Sequence, residues 1–204
     1  GQMGFWGYDC RYIPVELISA VYYRFLGEDE AARRDAGAYY TPMFLVDTVI
    51  SSVWENLTEK VKAQGAFLDP ACGSGIFLVR SFQRMCEHWR ANSKQKTIRW
   101  DSLLNMLDRV HGRDLNGGAV RVAVFSLYIA LLEEVSPPDI RKLVRKGRVL
   151  PPLWNKTIVQ RDFFDETPSN LMVDVVIGNP PWTSRRNSLS TGIQWGKSKG
   201  LPIP

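Results

Sequence analysis

Two short segments of the chain carry residue types that could do chemistry, and the first is a glycine-rich turn. Residues 67–75 read FLDPACGSG, with Asp69 placed shortly before Gly73 and Gly75. Glycine allows a sharp turn and a close approach of the backbone to a ligand. A dinucleotide-binding fingerprint needs a further glycine where this chain has Leu78, and Asp69 would repel a pyrophosphate. The segment therefore favours a ligand with a cationic amino group, and a tight turn without a ligand is the alternative.

The second segment follows an apolar run and contains two consecutive prolines. Residues 177–182 read IGNPPW. Because the prolines fix the backbone and lack N–H donors, the amide oxygen of Asn179 and the carbonyl of Pro180 can accept hydrogen bonds from one NH₂ group. Trp182, after Pro181, offers a flat apolar face on which a base can stack. These four residues are the predicted catalytic set, and a rigid loop with a packed tryptophan is the alternative.

Together, DPACGSG and the later NPPW resemble the S-adenosylmethionine-dependent amino-methyltransferases that act on DNA. In that family Asn-Pro-Pro-aromatic marks N6-adenine enzymes, and Ser-Pro-Pro-aromatic mostly marks N4-cytosine enzymes. GAYYTP, residues 37–42, resembles the family's first motif, and its place ahead of the glycine turn is similar to the gamma order. The resemblance covers residues 37–182, and the preceding FWGYDCRYIPVELIS resembles the lead-in of large restriction-modification and phage-defence methylases. It implies methyl transfer from S-adenosylmethionine to N6 of adenine in DNA, within such a system.

The resemblance also implies which residues hold the methionine end of the cofactor. Tyr40 and Thr41 would lie near the methionine carboxylate, at a helix N-terminus whose free N–H groups suit an anion. Asp69 would take the methionine amino group, and the backbone of the glycine turn would line the cofactor. The turn residues in this implied site are Ala71, Cys72, Gly73 and Gly75.

The other cofactor contacts that the resemblance implies follow the second and third strands. Residues 110–116, VHGRDLN, resemble the second-strand motif, in which Asp114 would accept from the ribose hydroxyls, with Leu115 beside it. Asp162 would accept from N6 of the cofactor's adenine, with Phe163 against the ring. A simple turn residue at Asp114 and an ordinary loop around Asp162 are the alternatives.

The charge of the chain permits a polyanionic partner. Its net charge is +5, and the densest basic stretch lies within residues 141–148, where contact with phosphates and a solvated helix face are both open. A second basic group follows NPPW and either meets DNA phosphates or only adds solubilising charge. Its members are Arg185, Arg186, Lys197 and Lys199.

The cysteines predict reduced thiols in a cytoplasmic protein without a metal site. The chain has three cysteines without CxxC spacing and two histidines. Cys72 is not the Pro-Cys nucleophile of cytosine-C5 chemistry, because Ala71 separates it from Pro70. No apolar run reaches the roughly 18–20 residues of a membrane span, and the first residues do not read as a secretory signal.

The elements that must position these segments alternate between strands and helices. Short apolar strands are predicted at residues 66–69, 110–114, 157–160 and 173–177, the last as a buried parallel strand. Helices are predicted at residues 14–26, from Thr41 as N-cap toward Leu57, at 76–89 and at 118–134. Residues 136–152, which contain four prolines, and the GIQWGKS segment at 192–198 are predicted to be irregular. This order predicts an α/β fold with a doubly wound, mostly parallel sheet.

The resemblance makes this a Rossmann-like methyltransferase fold, divided into a helical extension (1–37) and a methyltransferase domain (38–204). The family's sheet has seven strands and four are predicted here, so the domain is expected to be incomplete at its C-terminus, with 173–177 at an open edge. Recognition of the DNA site would then belong to a C-terminal remainder of a longer enzyme or to a separate specificity subunit.

Two rival functions are open at this point. Protein glutamine methyltransferases also use Asn-Pro-Pro-aromatic, usually with Tyr, because a glutamine amide resembles the amino edge of adenine. The GAYYTP segment and the basic charge favour DNA. The second rival is a fragment that binds the cofactor but cannot catalyse the reaction.

Overall fold

The computed structural model describes residues 41–147, 150–165, 171–180 and 191–201. Its helices are α1 (Met43–Asn56), α2 (Glu59–Gln64), α3 (Ile76–Asn92), α4 (Trp100–Leu107), α5 (Gly117–Glu133), α6 (Pro137–Arg145) and α7 (Thr191–Ser198). Its strands are β1 (Phe67–Asp69), β2 (Val110–Asp114), β3 (Ile158–Gln160) and β4 (Val175–Val176). The predicted extension at residues 1–37, with its helix at 14–26, lies outside the described residues.

The four strands form one parallel sheet in the order β3-β2-β1-β4. Phe67 of β1 pairs with Val110 of β2 and with Val175 of β4, and Gly112 of β2 pairs with Ile158 of β3. Because all four strands run in one direction, the loops that leave their carboxyl ends meet at a single edge. The predicted α/β fold with a parallel sheet is confirmed.

The core lies between the sheet and the helices α3 and α5. Phe67, Val110 and Ile158 are at most 1% exposed, since they face these helices. Helix α5 is apolar around most of its surface, which is typical of a buried helix. The two helices approach closely at Gly75, where a Cβ atom would lie only 2.9 Å from the Cβ of Ala123.

Strand β4 is less covered than predicted. Val175 is 7% exposed, whereas its neighbour Val176 is 59% exposed and the preceding Met172 is 82% exposed. Successive side chains of a strand point to opposite faces, so β4 is buried on one face alone. The prediction of a buried parallel strand holds for Val175 and is wrong for Val176, and the strand is shorter than the predicted 173–177. The expected open edge, with an under-covered apolar face, agrees with the sheet order and with the exposure of Val176.

The start of α1 differs from the prediction by one residue. Pro42 is the N-cap instead of Thr41, because the carbonyl of Pro42 accepts hydrogen bonds from the N–H groups of Leu45 and Val46 at 3.0 and 3.2 Å. Thr41 is therefore free of the capping role that the sequence assigned to its side chain.

Two segments predicted to be irregular are helices. Helix α6 begins inside residues 136–152, with the hydroxyl of Ser136 accepting from the N–H of Asp139 at 3.4 Å. Pro137 and Pro138 occupy the first turn, where the N–H groups have no partner within the helix, so proline costs no helical hydrogen bond there. The GIQWGKS segment forms most of α7.

No helix in the four described ranges is both long enough and apolar enough to cross a membrane. Of the three cysteines, Cys72 and Cys86 are buried free thiols. Cys10 lies outside the described residues.

Candidate active site

The glycine turn after β1 is tied to the end of β2 by backbone hydrogen bonds. The N–H of Cys72 donates to the carbonyl of Arg113 at 2.8 Å, and the N–H of Gly73 donates to Oδ2 of Asp114 at 2.8 Å. Gly73 and Gly75 have φ angles of +52° and +86°, a region that residues with a side chain rarely adopt. These hydrogen bonds hold the backbone of the turn at the carboxyl edge of the sheet.

Asp69 is a buried carboxylate at the start of this turn. It is 1% exposed, and its Oδ1 accepts from the N–H of Ala71 at 3.0 Å. Burial raises its pKa to about 7; the hydrogen bond from Ala71 opposes this rise and the negative charge of Asp114 adds to it. No basic side chain of the described residues pairs with Asp69. A buried carboxylate without a cation favours a ligand that brings a positive charge.

The glycine turn and the segment that leads into NPPW meet beside Asp69. The N–H of Ile177 donates to the carbonyl of Leu68 at 2.9 Å, which holds the end of β4 against β1. A Cβ atom at Gly178 would overlap the Asp69 carboxylate, so the backbone before NPPW touches the start of the glycine turn directly. One residue later, Nδ2 of Asn179 donates to Oγ1 of Thr41 at 3.3 Å. The structure thus brings three predicted site residues, Thr41, Asp69 and Asn179, to one place.

Asp114 ends β2 on the other side of the glycine turn. Besides the bond from Gly73, its Oδ1 accepts from the N–H of Asn116 at 2.8 Å. Leu115, between them, is 69% exposed, and its carbonyl accepts from Nε2 of Gln160 at 3.1 Å. The predicted ribose ligand therefore also holds the turn, while Leu115 offers an apolar face to solvent.

The loop after β3 places Asp162 and Phe163 at the same edge. Oδ1 of Asp162 accepts from the N–H of Phe164 at 2.9 Å, a local turn that the alternative of an ordinary loop also explains. Phe163 and Phe164 are partly exposed and contact each other edge to face at 5.3 Å between ring centroids. The ring of Trp195 from α7 lies 5.6 Å from that of Phe164. Exposed Lys197 lies on the same helix.

Cys72 does not present its side chain to the site. It is 4% exposed, and its sulfur lies 3.0 Å from the position that a Cβ atom on Gly112 would take. Burial raises its pKa well above the usual value, and the charges of Asp69 and Asp114 raise it further. Only the backbone of Cys72 is therefore available to a ligand.

Several predicted site residues fall outside the described residues. They are Tyr40, Pro181, Trp182, Arg185 and Arg186. Within the part of the chain that the structure describes, no group of three His, Cys, Asp or Glu residues could hold a metal ion.

Two residues of the site were missed by the sequence reasoning. Gly178 stands in the IGNPPW segment without a role of its own in the sequence analysis, although a glycine directly before a functional loop signals a close backbone approach. Trp195 was placed in a loop, and no sequence signal connects it with Phe164.

Comparisons with known proteins identify the family of this chain. The sequence model of the family described as N-6 DNA Methylase matches residues 15–202. The "Adenine-specific methyltransferase PglX" of Streptomyces coelicolor is 33% identical over 119 residues, which are 53% of this chain and 9% of that protein. The "Type II restriction enzyme and methyltransferase RM.Eco57I" of Escherichia coli is 26% identical over 155 residues, 61% of this chain and 15% of that protein. The chain thus spans a small part of either relative.

The family predicted from the two motifs is confirmed, and with it the Rossmann-like methyltransferase fold. The glycine turn, the buried Asp69 and the adjoining NPPW segment lie inside the matched region. Because that region covers most of the sequence, the chain belongs to the N-6 DNA methylase family.

Proposed function

We propose that this chain transfers a methyl group from S-adenosylmethionine to the N6 amino group of adenine in DNA, as the catalytic part of a restriction-modification or phage-defence methylase. The observation that carries the proposal is the contact between Gly178 and the carboxylate of Asp69. It joins the segment suited to a cationic ligand with the segment suited to an amino group. Family membership, and one relative named as adenine-specific, favour DNA over a protein glutamine.

The residues around the glycine turn fit S-adenosylmethionine as the methyl donor. The ammonium group of the methionine part would give Asp69 the positive partner that the described residues do not supply. Leu115 and Phe163 leave exposed apolar surface for an adenine ring at the ends of adjacent strands. Oγ of Ser74 is buried and has no hydrogen-bond partner among the described residues, so a polar atom of the turn is left for a ligand.

Bound S-adenosylmethionine supplies a methyl group on a positively charged sulfur, which a weakly nucleophilic amine can attack. The task of the chain is therefore to place that amine. Asn179 Oδ1 and the carbonyl of Pro180 would accept from the two N–H groups, and Trp182 is assigned the role of stacking on the base. Because an adenine inside a duplex is out of reach, it must be flipped out, which costs a few kcal/mol.

Contacts with the DNA backbone are assigned to the basic residues that follow NPPW. Arg185, Arg186 and Lys197 would meet phosphates and fix the register of the duplex. Recognition of the target sequence is assigned to a C-terminal remainder or a separate specificity subunit, and the reaction to the cytoplasm, where the thiols of Cys72 and Cys86 stay reduced.

Replacing Asn179 tests the function in the complete protein. With unmethylated genomic DNA and labelled S-adenosylmethionine, Asn179→Ala should lower N6-methyladenine formation at least 100-fold, because the amine loses its acceptor. The dissociation constant of S-adenosylmethionine, measured by calorimetry, should change less than about threefold. A matched control, Asn92→Ala, removes an exposed amide from the far end of α3 and should leave both values unchanged.

A parallel reaction with protein acceptors separates the two chemistries. If the labelled methyl group appeared on glutamine side chains and not on adenine, the chain would be a protein glutamine methyltransferase and the proposal of DNA methylation would be wrong. Normal adenine methylation by Asn179→Ala would contradict the assigned site.

A further inference from the structure

The contact between Thr41 and Asn179 joins residues that are 138 positions apart. Thr41 is 8% exposed, whereas Asn179 is exposed at the end of β4. Within the described residues, the threonine hydroxyl is the hydrogen-bond partner of the asparagine amide. The resemblance assigned Thr41 only to the cofactor carboxylate, so this contact gives the residue a second possible task.

The orientation of the Asn179 amide decides whether it can hold an amine. A side-chain amide has an oxygen that only accepts and an NH₂ group that only donates. The target N6 group offers N–H donors, so it needs the amide oxygen. If the amide turned over, two NH₂ groups would face each other and the hydrogen bond would be lost.

Thr41 is well placed to hold the amide in the productive orientation. Its Oγ1 accepts from Nδ2 of Asn179 at 3.3 Å, so Nδ2 faces the buried threonine and Oδ1, on the other arm of the amide, is left to accept from another group. A β-branched side chain has few rotamers, and Thr41 directly precedes the helix cap Pro42. Pro180 restricts the backbone of Asn179, so the freedom that remains is in its side-chain torsions, which the hydrogen bond to Thr41 limits.

We propose that Thr41 is a positioning residue, which orients the Asn179 amide so that Oδ1 faces the amino group of the target base. This inference rests on the proposed function and adds to it a role for the segment that precedes α1. Thr41 touches neither base nor methyl group in this role; it acts through Asn179.

Three threonine variants test the proposal by kinetics with unmethylated genomic DNA. Thr41→Val keeps the shape and the backbone N–H but removes the acceptor, and it should lower kcat about tenfold. The KM for DNA and the dissociation constant of S-adenosylmethionine should stay within about twofold. Thr41→Ser restores the hydroxyl and should bring kcat back to within about threefold of the parent. Thr48→Val makes the same chemical change at an exposed position of α1 and should have no effect.

A second readout needs no turnover and applies to the 204-residue chain itself. In ¹H–¹⁵N spectra, the side-chain NH₂ signals of Asn179, assigned by their loss in Asn179→Ser, should shift in Thr41→Val and return in Thr41→Ser. Thr48→Val should leave them in place.

The outcomes separate this inference from the function on which it rests. If Thr41→Val keeps both kcat and the NH₂ signals while Asn179→Ala is inactive, the positioning role is wrong and the function stands. If Thr41→Val weakens S-adenosylmethionine binding without lowering kcat, Thr41 serves the cofactor alone. If Asn179→Ala methylates normally, the function itself is wrong, and the NH₂ signals still report whether Thr41 holds the amide.

Discussion

The two loops at the carboxyl edge of the sheet are built in opposite ways. The glycine turn after β1 is closed: Asp69 is 1% exposed, and the backbone of the turn is bonded to β2. The loop after β4 is open: Asn179 and Pro180 are exposed and follow a strand of two residues. The chain thus builds the proposed cofactor side into its own core, and it presents outward the groups that are proposed to hold the base, where a large substrate can reach them.

The largest effect is expected from a substitution of Gly75, which lies on the closed side. In Gly75→Ala, the new side chain would be strained by a φ of +86°, and its Cβ would lie 2.9 Å from the Cβ of Ala123. Because both costs add, the free energy of unfolding should fall by about 4 kcal/mol. Gly147→Ala is the matched control, because its φ is +65° but nothing lies near its Cβ; it should cost about 1 kcal/mol. Urea unfolding measures both changes.

The double variant Gly75→Ala with Ala123→Gly sharpens this test. It removes the Cβ with which the new side chain collides, so part of the loss should return. Additive losses would mean that the overlap between α3 and α5 is relieved in some other way.

The next largest effect is expected at Asp69, where one substitution should raise stability and weaken cofactor binding. Folding raises its pKa from 3.8 to about 7, so between these pH values the folded chain keeps a proton that the unfolded chain releases. The free energy of unfolding should therefore fall as the pH rises through this window. Asp69→Asn keeps an acceptor for Ala71 but carries no charge, so at pH 8 it should be more stable by on the order of 3 kcal/mol.

The same substitution should weaken S-adenosylmethionine at least tenfold, because its ammonium group loses a buried carboxylate. Urea unfolding from pH 5 to pH 8 and calorimetric titration check the two effects. Asp139→Asn is the exposed control: hydrogen bonds from Ser136 and Lys142 lower the pKa of Asp139, so this change should slightly destabilise the chain. A gain of stability in Asp69→Asn without any loss of cofactor binding would make the carboxylate a structural feature only.

The sequence was sufficient for the closed side and insufficient for the open one. The apolar runs of β1 and β2 and the glycines between β1 and α3 have local signals, and the predicted 110–114 strand agrees with the structure residue by residue. The prolines that begin α6 were misread, because proline suits both a first helical turn and a loop. The contacts of Gly178 with Asp69 and of Asn179 with Thr41 join distant parts of the chain, so a local pattern such as the glycine before NPPW indicates a close approach but does not identify its partner.

The smallest expected effect compares the two faces of β4. Val175→Thr places a hydroxyl in the core and should lower the free energy of unfolding by about 1–2 kcal/mol. Val176→Thr makes the same change on a residue that is 59% exposed and should cost less than about 0.5 kcal/mol. The pair is its own matched control, because the two residues are neighbours of one type and differ in the face they present.

Making both variants in a longer protein that contains this chain tests whether another segment covers the exposed face of β4. If a C-terminal segment packs on the exposed face of β4, Val176→Thr should become as costly there as Val175→Thr, while Val175→Thr keeps its value. Equal costs already in the 204-residue chain would mean that Val176 is covered, and the contrast between a closed cofactor side and an open base side would not hold. An unchanged small cost in the longer protein would instead leave this face of β4 in solvent, so that the proposed recognition segment would have to attach elsewhere.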